Sequence, residues 1–152
     1  MPLSSRHRLA AIALCAMLAA TACSAVSGSD PEPEFPGDTA VEVYHASELR
    51  PGHCLWRIPD DLTAVVVSCD YPHAAEFSEM YVVREGEWPG KDEAVRMARH
   101  WCTPRMRIKP GKRDLVMTGV LPPLENEWPR KRTAYCLAVP RGENPMVGRV
   151  LE

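Results

Sequence analysis

A chain of 152 residues, 45% of them apolar and with a net charge of −2, has material for one modest hydrophobic core. So even a balance gives no footing for a nucleic-acid partner, which needs a basic domain. P-loop, dinucleotide-binding and serine-hydrolase signatures are absent as well.

The first residues read MPLSSRHRLAAIALCAMLAATAC. Arg6 and Arg8 precede an uncharged apolar run from Leu9 to about Leu18, which gives way to small residues. That is the layout of a secretory signal, and the run is too short for a comfortable membrane span. Ala20-Thr21-Ala22-Cys23 resembles a bacterial lipobox, with Ala20 where Leu is usual. The expectation is a signal peptide over 1–22 and a diacylglycerol on Cys23, holding the protein on the extracytoplasmic face of the cell membrane. An ordinary Ala-x-Ala signal cut at the same bond is the alternative. Residues 23–40 continue as CSAVSGSDPEPEFPGDTA, acidic and rich in Ser and Pro without apolar periodicity, and read as a tether. Fully extended, it reaches on the order of 50 Å. The folded domain is expected over 41–152.

Cys54, Cys69, Cys102 and Cys136 remain, an even number in an exported domain, so oxidised pairing is expected. Four cysteines allow three connectivities, and composition does not choose among them. HCLWRIPDDLTAVVVSC reads as a strand, a turn at Pro59-Asp60-Asp61, and a second strand through Val65, Val66 and Val67. Folded as a hairpin it brings Cys54 opposite Cys69, which leaves Cys102 with Cys136. With no CxxC or HxxxH present, zinc is not expected, nor is any other metal or cofactor.

Further along, 75–84 (AEFSEMYVVR) is strand-like, with Glu85-Gly86 as a stop. In EWPGKDEAVRMARHWC, Pro-Gly introduces a helix with acids in its first turn and cations later, as its dipole favours. Ala94, Met97, Ala98, Trp101 and Cys102 share one face, which is core packing. Thr103-Pro104 ends the helix. Strands are expected over 115–121 and 133–140, separated by Pro122-Pro123 and a polar loop with Trp128. The fold class that results is α+β: a small single domain, one helix packed on an antiparallel sheet, with two disulfides.

Four stretches, ELRPGHCLW, VVVSCDYPHAAEF, AVRMARHWC and NEWPRKRTAYCLAV, together resemble the septum formation domain family of actinobacterial envelope proteins. The family pattern falls on Gly52 and Cys54, then Cys69 with Pro72, His73 and Glu76, then Cys102, Trp128 and Cys136. The resemblance covers roughly residues 41–140. Two positions depart from it: His53 stands for the usual Asp, and Pro129-Arg130 where a Gly often follows the Trp. The resemblance implies an exported or membrane-tethered, non-enzymatic module linked to septum formation.

Within CDYPHAAEF, a disulfide removes Cys69 as nucleophile or ligand. Pro72 forces Tyr71 into an extended or turn conformation, so the chain bends before His73. On a helix His73 and Glu76 would share a face and a metal; on an extended segment they point to opposite sides. The expectation is a structural corner in which His73 bonds across the loop and Glu76 pairs locally or faces water. The same alternation separates Glu76 from Glu79.

Charge is unevenly spread. From Cys23 to Gly90 three cations face thirteen acids; from Lys91 to Arg132 eleven cations face five. Arg96, Arg99, Arg105, Arg107, Lys109, Lys112 and Arg113 form the densest run. Either the two halves neutralise each other or the run faces anionic lipid headgroups, an acidic wall polymer or an envelope protein. Two functions follow from these readings: a surface-tethered, non-enzymatic binding module of the envelope, or a small envelope hydrolase using His73 and Glu76.

Overall fold

A computed structural model describes residues 41–152. The expected signal peptide, Cys23 and the tether lie outside the described residues. Six strands form one sheet: β1 (Glu42–His45), β2 (Cys54–Leu55), β3 (Thr63–Val67), β4 (Ala75–Val82), β5 (Val116–Leu121) and β6 (Thr133–Pro140). Their order across the sheet is β1-β3-β2-β4-β6-β5, and every neighbouring pair is antiparallel. The single α-helix among the described residues, α1 (Lys91–Cys102), lies on one face.

β6 explains why the sheet can be covered on both sides. Its sequence TAYCLAVP has no charged residue, and six consecutive positions from Ala134 to Val139 are buried. Tyr135, Leu137 and Val139 point into a core with Phe77, Leu55, Ala64 and Leu121. Ala134, Cys136 and Ala138 point the other way, towards α1 and Met146. A strand that reads as continuously apolar is one buried on both faces.

α1 carries the expected stripe: Ala94, Ala98 and Cys102 are buried, while Met97 and Trp101 are half-buried beside them. Small alanines let the helix sit close to β6, and Cys102 is bonded to Cys136. Trp101 stacks on Tyr81 of β4 at 5.2 Å. Thr103 closes the helix by donating both its N–H and its hydroxyl to the Arg99 carbonyl.

The hairpin inference holds. β2 and β3 pair with Cys54 opposite Val67, and Cys69, two residues on, bonds to Cys54. Ahead of β2, Arg50-Pro51-Gly52-His53 makes a tight turn, with His53 N–H donating to the Arg50 carbonyl at 3.0 Å. Pro51 presets the first corner, and Gly52 takes the second at φ 87°, where a side chain is disfavoured. A Cβ at Gly52 would also lie 2.3 Å from the Arg149 guanidinium.

Candidate functional site

The CDYPHAAEF corner is built around a segment that follows β6. The Tyr71 N–H bonds back to the Ser68 carbonyl, and Pro72 then sends the chain towards Met146. His73 and Met146 exchange two backbone hydrogen bonds of 2.9 Å, and Gly148 N–H donates to the Cys69 carbonyl at 2.6 Å. On the other side of the same segment, Lys109 N–H donates to the Val150 carbonyl and Glu152 N–H to the Arg107 carbonyl. Residues 146–152 therefore run as a strap between the corner and the chain beyond α1.

Both chemistry-bearing residues of the corner are fully buried. His73 Nδ1 lies 2.8 Å from the Tyr71 carbonyl, an acceptor only, so the hydrogen sits on Nδ1. Glu76 Oε2 accepts from two strap amides, Val150 N–H at 2.6 Å and Leu151 N–H at 3.1 Å. Such charge-assisted bonds satisfy backbone donors that burial would otherwise leave unpaired. Glu76 thus neither faces water nor pairs locally, contrary to expectation: its partners lie more than seventy residues away. The reason is the strap, which supplies donors that the local sequence does not contain.

His73 Nε2 and Glu76 Oε1 each lack a protein hydrogen-bond partner, so the two side chains are not bonded to each other. No cluster of three His, Cys, Asp or Glu suited to a metal occurs among the described residues.

A second expectation fails for a local reason. Glu76 pairs with Ala138 and Glu79 with Cys136, and Ala138 and Cys136 share a face of β6. A bulge between Phe77 and Glu79 inserts one residue and restores Glu79 to the side of Glu76. The two carboxylates still sit in different surroundings. Glu76 is sealed beneath the strap, whereas Glu79 is half-buried in an open recess with Arg105 and Arg107.

The basic run does not form one uniform surface. Arg96 is held by both carboxylate oxygens of Glu93, one turn earlier on α1. Arg105 lies over the Trp101 ring at 4.3 Å and donates to the Trp101 carbonyl. Lys109 reaches the Arg149 carbonyl at 3.4 Å. Arg99, Arg107 and Arg113 are exposed, and Lys112 is half-buried. The hydrogen bonds from Arg96 hold the Glu93 carboxyl below its usual pKa, and Glu93 in turn raises that of the Arg96 guanidinium. Two ion pairs, Glu93–Arg96 and Glu127–Lys131, are local. Neither joins the acidic first half to the basic second half.

Several recesses lie away from the corner, two of them beside α1. One runs along the outer flank of α1 past Val95, Arg99 and Thr103. The other is lined by Ile58, Trp88, Pro122, Pro123 and Leu124, with Trp88 edge-on to Trp128 at 5.3 Å. Trp128 donates its indole N–H to the Gly86 carbonyl, and the Trp128–Pro129 peptide is cis.

The strap itself is the element that sequence reasoning missed. Its signal was present in the apolar Met146, Val150 and Leu151, which are all buried. The chain matches no protein-family model, and neither a curated protein nor a solved structure matches it significantly.

Proposed function

We propose that this is a lipoprotein anchored through Cys23 on the extracytoplasmic face of the cell membrane, carrying a non-enzymatic binding module of the envelope. The observation that carries the reading is the state of the cysteines. All four in the folded domain are joined, Cys54 with Cys69 and Cys102 with Cys136. Paired structural cysteines in a small domain belong to an oxidising compartment, which agrees with the signal-like first residues. The resemblance to the septum formation domain family supports placing the module in envelope growth or division.

Burial argues against the hydrolase reading. A general base or a metal ligand must be reachable by substrate, and His73 and Glu76 are both covered by the strap. The exposed cations Arg99, Arg107 and Arg113 suit contact with anionic headgroups or an acidic polymer instead. Each cation close to such a surface contributes about 1 kcal/mol, and salt weakens it.

The decisive experiment is metabolic labelling with a fatty acid, followed by membrane fractionation. The wild-type protein should carry label and sediment with membranes, and Cys23→Ser should lose both. Two acyl chains suffice for stable anchoring. Unlabelled wild-type protein released into the medium overturns the reading.

A further inference from the structure

The two edges of the sheet are finished differently. At β1, the pairing of Tyr44 with Ala64 and Glu42 with Val66 directs the backbone groups of Val43 and His45 outward. The His45 N–H is taken up by the Glu48 carboxylate at 3.0 Å, so this four-residue edge is interrupted at His45 and leaves Val43 as its exposed outward residue. At β5, Arg141 N–H donates to the Leu115 carbonyl, which places residues 115, 117, 119 and 121 in bonding contact with β6. By alternation, the N–H and C=O of Val116, Thr118 and Val120 point away from the sheet. The groups of Thr118 and Val120, both half-buried, have no hydrogen-bond partner among the described residues, whereas Val116 is buried.

Beside this open edge stands a wall. α1 buries Ala94, Ala98 and Cys102, so the flank holding Val95, Arg99 and Thr103 is turned towards β5. The Thr118 hydroxyl donates to the Thr103 hydroxyl oxygen at 3.1 Å, and Val95 shares a recess with Val120 and Leu121. Arg96, Arg99 and His100 continue the flank outward, and Lys112 and Arg113 precede the start of β5. The acids nearby are Asp92 at the first turn of the helix, Glu93 engaged with Arg96, Asp114, and Asp60 and Glu125 at the Val95 end of the recess. A floor of free strand backbone beneath a helix wall is how sheet-edge peptide binders are built, with the wall choosing the side chains.

We propose that the β5 edge takes an acidic, extended peptide of a partner protein as a seventh strand, its alternate side chains meeting Arg99 and its neighbours on α1. This goes beyond the anchored-module reading, which stands if the proposal fails. Backbone pairing supplies the affinity and the cations supply the choice of acidic sequence.

The test uses the full-length oxidised protein in detergent and a fluorescent heptapeptide alternating Glu and Val, followed by anisotropy at low and high salt. The peptide should bind about ten-fold or more tightly than its Lys–Val counterpart, and salt should weaken it. Methylating the alternate amide nitrogens of the peptide keeps its charge but removes its donors, and should cost about ten-fold or more. Arg99→Glu should reverse the charge preference. Thr118→Pro removes an outward N–H that the fold does not use, and should weaken binding with circular dichroism unchanged. A methylated peptide that binds as well as its parent would mean a plain anion-binding surface and overturn the seventh strand. Failure of the Glu–Val peptide to bind at low salt overturns the proposal outright.

Discussion

The corner at residues 69–76 and the flank formed by β5 and α1 treat their polar groups in opposite ways. In the corner, a carboxylate and an imidazole are sealed under a strap whose amides the carboxylate satisfies. At the flank, Thr118 and Val120 turn backbone groups outward from the sheet, and cations stand beside them in solvent. The corner holds the residues that look most like chemistry, yet nothing dissolved can touch them. The flank is made of ordinary strand and helix residues, and it is the accessible surface. Residue type alone therefore points to the wrong region; burial and hydrogen-bond satisfaction separate structure from availability.

Each region has its own disulfide, and removing them gives the largest contrast. Cys102–Cys136 closes a separation of 34 residues and fastens α1 to β6, so loop entropy assigns it about 4 kcal/mol. Cys54–Cys69 closes 15 and ties the corner, for about 3 kcal/mol. The double alanine variants, measured by chemical denaturation, should fall in that order. Equal or reversed losses would mean that packing, rather than chain entropy, sets the contribution of each bond.

Glu76→Ala comes next. It leaves the amides of Val150 and Leu151 buried without an acceptor, at a cost of about 3 kcal/mol. Hydrogen exchange should accelerate at those two amides while α1 and β6 stay protected. Glu76→Gln retains an acceptor oxygen and should lose about half as much. Uniform acceleration across the domain would show that the strap is not a separate unit and would erase the contrast between the regions. His73→Ala should cost about 1–3 kcal/mol, since the Tyr71 carbonyl loses its donor and the corner loses a buried ring.

Much of this arrangement was legible in the sequence because the signals were local. The β2–β3 hairpin followed from a turn between two apolar runs, and it correctly paired Cys54 with Cys69. The helix followed from its charges and its apolar stripe, and β6 was expected over the residues it occupies. What escaped depended on distant partners or on a single inserted residue. Nothing near Glu76 foretells two amides from residues 150 and 151, and no alternation rule reveals a bulge at Ser78. β1 was not expected as a strand either. Two of its four residues are exposed, Tyr44 only partly covers the core, and the strand gains its place chiefly by pairing with β3.

The smallest effect concerns His53, which lies between the disulfide-bonded Cys54 and Tyr44 of β1. Its ring stacks on Tyr44 at 5.5 Å, and its Nδ1 accepts the Arg50 backbone N–H at 3.3 Å, so the neutral ring is the form that fits. Burial, and then the positive charges of Arg50 and Arg149 against a small opposing pull from Glu42, hold its pKa below the usual 6.5. The unfolded chain therefore binds more protons than the folded one once pH drops below about 6.5. Stability should fall as pH drops from that value through the lower folded pKa, then level off as both states become protonated. Above about 6.5 the residue contributes no slope, because neither state is charged. Denaturation at a series of pH values should show this shallow acid-side loss in the wild type and a flatter profile in His53→Gln. An NMR titration placing the His53 pKa at or above 6.5 would remove the cause, and any remaining acid-side slope would then belong to other groups.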